Sequence, residues 1–89
     1  MLEERFSVNV QKKLKREHHD NVMKLVELVD SLRVNPIKKN SLRCKEPGYS
    51  ETIFTISCLD YRILYEVDFN ENVIIIQDIE KETQDFVKS

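Results

Sequence analysis

The chain has 89 residues, 40% of them hydrophobic and 34% charged, with a net charge of −2. That is enough for one small domain and too apolar for a disordered tail. No apolar run approaches the roughly 20 residues of a membrane helix, the acid-bearing start MLEERFSVNV lacks a secretory core, and Cys44 and Cys58 are too few for a disulfide framework. These features predict one cytoplasmic domain over residues 1–89, with both cysteines as reduced, partly buried thiols.

Arg5 to Gln11 alternates Phe6, Val8 and Val10 against Ser7, Asn9 and Gln11. A period of two predicts a half-buried strand. KKLKREHHD then forms a short exposed helix or a turn. Asp20 or Asn21 is the expected N-cap of the next helix. There Val22, Leu25, Val26, Val29, Leu32 and Arg33 fall on one stripe, with Lys24, Glu27 and Asp30 off it. Asn35-Pro36 stops it, because the residue before proline is pushed out of helical geometry.

NSLRCK, from Asn40 to Lys45, fits an edge strand, and the Pro-Gly of EPGYSE fits a turn. TIFTISC alternates Phe54, Ile56 and Cys58 against Ile53, Thr55 and Ser57. In the next strand Tyr61, Ile63, Tyr65 and Val67 alternate against Arg62, Leu64, Glu66 and Asp68. Tyr61 and Tyr65 therefore belong to the core. Phe69 to Asn72 supplies hairpin residues, and VIIIQDI is β-branched enough for a central strand. Phe86 and Val87 anchor an otherwise frayed tail. The whole predicts an α+β domain: an antiparallel meander sheet of four to five strands with N-terminal helices packed on one face.

Charge is unevenly spread. Residues 1–45 carry eleven basic and six acidic side chains, and residues 46–89 carry three and ten. Either one face meets an anionic surface or an acidic partner, or helices simply carry lysines and strands acids. Lys12, Lys13, Lys15 and Arg16 form a basic cluster, joined by Lys38, Lys39, Arg43 and Lys45. No aromatic lies within the first cluster, so base stacking is not expected there, and a plain solvated face is the alternative to a binding surface. Glu17, His18, His19 and Asp20 lack further ligands for a metal site. Arg62 is either a functional cation or half of a cross-strand ion pair with Glu66 or Asp78.

Asn40-Ser41-Leu42-Arg43, then Asp60-Tyr61-Arg62-Ile63-Leu64-Tyr65-Glu66-Val67, then VIIIQDI resemble the RelE/ParE superfamily of toxins from type II toxin–antitoxin systems. The resemblance runs from about Arg5 to Phe86. It implies a RelE-like fold and a toxin that inhibits translation by ribosome-dependent cleavage of messenger RNA. It implies a cognate antitoxin, ribosome and messenger RNA as partners, with the basic clusters meeting RNA phosphates and Arg62 a phosphate-facing cation; no metal or cofactor is implied, and no membrane partner is expected. The family's arginine in the Tyr-Arg block matches Arg62, its Leu-Arg arginine matches Arg43, and Lys81 stands in a basic C-terminal position. The strand from Thr52 to Ser57 lacks the family's lysines. The C-terminal arginine position falls on Glu82 or Thr83, and the tyrosine position on Phe86. The chain thus resembles an endoribonuclease with an incomplete catalytic set. The alternative is a toxin-fold protein without nuclease chemistry, a ParE-like topoisomerase inhibitor or an antitoxin-binding homologue.

Overall fold

A computed structural model describes residues 1–44, 48 and 52–81. The chain runs β1 (Glu3–Phe6), α1 (Val8–Arg16), α2 (His19–Val34), β2 (Leu42–Arg43), β3 (Ile53–Cys58), β4 (Tyr61–Asp68) and β5 (Val73–Lys81). The five strands form one sheet in the order β1-β5-β4-β3-β2. From β2 to β5 the strands form the expected antiparallel meander. β1 departs from it: it lies parallel to β5, with Glu3 opposite Val73 and Phe6 opposite Ile76.

The alternation from Arg5 to Gln11 does not make one strand. β1 stops at Phe6 because Ser7 caps α1: its hydroxyl accepts from the Val10 amide at 3.1 Å and donates to the Gln77 carbonyl at 3.0 Å. Val10 then turns inward with Leu14, and Val8 points out, 66% exposed. Phe6, Val8 and Val10 satisfy a period of two by coincidence, whereas Val10 and Leu14 follow the helical spacing. Lys13, Lys15 and Arg16 fall in the last turn of α1, where they complement the helix dipole.

The N-cap of α2 lies two residues before Asp20, the earlier of the two expected caps. His18 is the N-cap, its Nδ1 accepting from the Asp20 amide at 3.3 Å, and Asp20 sits in the first turn, where a carboxylate is favoured. The buried stripe is Leu25, Val29 and Leu32. Arg33 closes the end of α2 onto β1, its Nε donating to the Leu2 carbonyl at 2.9 Å.

The helices pack on the face that carries Ile56, Tyr61, Ile63, Tyr65, Ile74, Ile76 and Ile79. The opposite face holds a smaller cluster of Cys44, Ile53 and Leu64. Each buried aliphatic side chain contributes about 1.5–3 kcal/mol. Tyr65 is fully buried, and its hydroxyl lies 2.6 Å from the Pro36 carbonyl and 2.8 Å from the Ser41 hydroxyl. The β4–β5 register shifts by one residue between Leu64 and Tyr65. That bulge lets Ile76 and Ile79, three residues apart, both face the helices. At the hairpin, Asp68 accepts from the amides of Asn70 and Glu71, and Asn72 takes a left-handed φ of 59° that asparagine tolerates.

Candidate functional site

Arg62 stands on β4 on the face opposite the helices. Its register partners are Ser57 on β3 and Glu80 on β5, so a hydroxyl, a guanidinium and a carboxylate lie in one row across the sheet. Arg62 Nε and Nη2 approach Glu80 Oε1 at 3.1 and 2.5 Å. The two side chains are 31% and 37% exposed. A pair this exposed contributes under about 1 kcal/mol to stability.

The ion pair differs from the expected Glu66 or Asp78. Counting from the Asp68–Val73 pair, an unbroken ladder would set Ile79 opposite Arg62; the one-residue shift sets Glu80 there. Asp78 is drawn to α1 instead, bonding Lys13 Nζ at 2.7 Å and Asn9 Nδ2 at 3.2 Å. Glu66 is held by the Thr52 hydroxyl at 2.7 Å and Gln77 at 3.1 Å.

Lys81 lies on the other face. Its register partner is Tyr61, and its ammonium sits 6.0 Å from that ring. A pocket of about 220 Å³ opens there, floored by Leu14 and Ile79 and rimmed by Lys13, Arg16 and Lys81. Glu17 and Tyr61 complete it, the tyrosine hydroxyl donating to the Glu17 carboxylate. Asn21 donates to the same hydroxyl at 3.3 Å. The bond to Glu17 and burial push the Tyr61 phenol above the usual tyrosine range. Lys13 is committed to the fold, since it also donates to the Ile79 carbonyl at 3.0 Å. Lys12, Lys15 and Arg16 are exposed on α1.

Arg43 shares the helix-side face but sits at its far end. It pairs in register with Phe54, its guanidinium 5.5 Å from that ring. Around it an apolar groove of about 270 Å³ is lined by Ile37, Phe54, Val67 and Phe69. Phe54 pairs with Tyr65, four residues along β4 from Tyr61, so Arg43 and Lys81 are separated by about 13 Å along the strands and by three strand spacings across them. The three cations matched to the family's catalytic positions therefore occupy three places, and Arg62 alone of them faces away from the helices. Lys38 and Lys39 lie in the connection from α2 to β2, with the Lys38 amide bonded to the Ser41 hydroxyl. Lys45, Glu82, Thr83 and Phe86 fall outside the described residues.

Both cysteines are free thiols, Cys44 buried and Cys58 half-buried, on opposite faces of the sheet. Burial raises the Cys58 thiol. Among the described residues no group of three or more His, Cys, Asp or Glu could hold a metal, and no helix is long and apolar enough to cross a membrane. Sequence reasoning missed two of the site's carboxylates, Glu80 and Glu17. Glu80 was hidden by the bulge, and nothing local to Glu17 points to a tyrosine 44 residues away.

The model of the ParE toxin family, toxins of the type II toxin–antitoxin system parDE, matches residues 5–86. A protein of Methanocaldococcus jannaschii named toxin RelE1 is 27% identical over 81 residues, covering 86% of this chain and 90% of that one. In fold, the chain resembles the archaeal RelE–RelB complex of Pyrococcus horikoshii, with a TM-score of 0.78 at 19% identity over 93% of this chain and 97% of that chain. It also resembles the isolated E. coli RelE toxin, with a TM-score of 0.81 at 14% identity over 99% and 92%.

Proposed function

The chain belongs to the ParE toxin family of type II toxin–antitoxin systems, and from that membership we propose that it halts translation by cutting messenger RNA on the ribosome, as a RelE-like toxin. It works in the cytoplasm and is held in check by a cognate antitoxin. The observation that carries this reading is the setting of Arg62: it lies within the Asp60–Val67 block, on the sheet face away from the helices, with a third of its side chain exposed. A guanidinium there can donate two bonds to one phosphate and offset the charge that builds as the bond to the leaving oxygen breaks. Lys12, Lys15 and Arg16 on α1, with Lys39, are the exposed cations for backbone phosphates of RNA. Lys38 and Lys45 join them in this reading, whereas Lys13 is held by Asp78 and the Ile79 carbonyl and has the smallest part in it.

The test is controlled induction in a bacterial host, wild type beside Arg62→Ala, scoring growth and mapping messenger ends. Growth arrest with new ends, both lost in Arg62→Ala, supports the reading. Growth and messages left untouched by the wild type count against it.

The separation of Arg43 and Lys81 from Arg62 favours a second reading, a toxin without nuclease chemistry that acts on a topoisomerase or only binds its antitoxin. Arrest without new messenger ends is the result that selects it.

A further inference from the structure

We propose that Glu80 is the general base of this cleavage, an inference that rests on the ribonuclease reading above. Cutting RNA through its own 2′-hydroxyl needs a group that takes the hydroxyl proton and a cation on the adjacent phosphate. Arg62 serves as the cation and cannot serve as the base, because a guanidinium has no acceptor and stays protonated. β3 offers hydroxyls on this face, Thr55 and Ser57, and the Thr55 side chain is buried. A neutral hydroxyl is a poor base near neutral pH.

Among the described residues, three carboxylates lie on or near the row. Glu66 is four residues from Arg62 along β4, about 13 Å away, and is held by Thr52 and Gln77. Asp78 is fastened to Lys13, Asn9 and the Ile79 amide. Glu80 is the direct partner of Arg62. The two contacts that Arg62 makes with Glu80 fall on Oε1, and the proposed proton acceptor is Oε2.

The spacing fits the substrate. In RNA the 2′-hydroxyl and the scissile 3′-phosphate are borne on neighbouring carbons. A phosphate on Arg62 therefore brings the hydroxyl beside Glu80. In the step, the 2′-hydroxyl proton moves to Glu80 Oε2 and the 2′-oxygen bonds to phosphorus. The bond from phosphorus to the 5′-oxygen breaks, and that oxygen takes a proton from solvent water. The products are a 2′,3′-cyclic phosphate and a 5′-hydroxyl. The base role accounts for a carboxylate beside the cation, where plain phosphate binding is opposed by it.

The experiment measures cleavage of a defined messenger on programmed ribosomes by purified wild type, Arg62→Ala, Glu80→Gln, Glu80→Asp and Glu80→Ala. Glu80→Gln keeps shape and removes the base, so cleavage slows by about 100-fold or more. Glu80→Asp keeps a carboxylate and stays within about tenfold of wild type. Added formate restores part of the rate to Glu80→Ala, which a purely structural role does not allow. Equal or faster cleavage by Glu80→Gln overturns the proposal and leaves Glu80 as a shield over Arg62. Absence of cleavage by the wild type itself overturns the ribonuclease reading, and this inference with it.

Discussion

Arg62 and Lys81 are one step apart in the β4–β5 register, yet they face opposite sides of the sheet. Tyr61 and Lys81 pair on the helix side, and Arg62 and Glu80 pair on the other. Two cations this close in the ladder cannot act on one phosphate. Single substitutions should therefore separate them: Arg62→Ala lowers cleavage by about 100-fold or more, and Lys81→Ala or Arg43→Ala, on the other face, changes it by less than about threefold. Cleavage rates of the three purified variants check this.

Ser7→Ala should cost about 1–2 kcal/mol of stability. Its hydroxyl caps α1 and also ties that cap to the Gln77 carbonyl on β5. Urea denaturation of the two proteins measures the loss. An effect under a few tenths of a kcal/mol would mean that water replaces both bonds.

The boundary at Ser7 also shows what was legible in the sequence. β3 and β4 could be read because each has a face buried under the helices, and burial imposes the alternation; β5 could be read from its β-branched run. The helix stripe of Leu25, Val29 and Leu32 was legible for the same reason. The end of β1 was not, since Phe6, Val8 and Val10 fit a strand until the Ser7 cap is known. Nor was the parallel pairing of β1 with β5, which joins residues about 70 positions apart in sequence. Arg62 was singled out from its block, and its partner was missed because a single bulge shifts the ladder by one. The basic pocket brings Lys81 to Lys13 and Arg16, three cations that sequence order scatters over two ends of the chain.

Two buried tyrosines predict loss of stability in alkali. Tyr61 is raised by its bond to Glu17 and by burial, and Tyr65 by burial. A raised value means that the folded protein holds the proton more tightly than the unfolded chain. This contribution is complete below the ordinary tyrosine value of about 10 and disappears as pH rises through the raised one. Phenolate absorbance should show both titrating late, and Glu17→Gln should bring Tyr61 down.

Glu4 predicts a loss of the same sign at lower pH. Among the described residues no hydrogen-bond partner reaches its buried Oε2, and Arg33 Nε is 4.0 Å away. Burial raises its carboxyl, with Asp30 adding to the shift and Arg33 opposing it. Stability from this group is complete below the ordinary carboxylate value and is lost as pH rises through the raised one. Glu4→Gln should match wild type in acid and exceed it at neutral pH. Thermal melts across that range test it; equal melting temperatures at neutral pH contradict it.

The central claim, a toxin that cuts messenger RNA on the ribosome through Arg62, is tested most directly in cell-free translation with purified protein and one defined messenger. The account predicts that synthesis stops and that the messenger gains 5′-hydroxyl ends only when ribosomes are present, with both effects lost in Arg62→Ala. Synthesis that continues, or stops with the messenger intact, contradicts it.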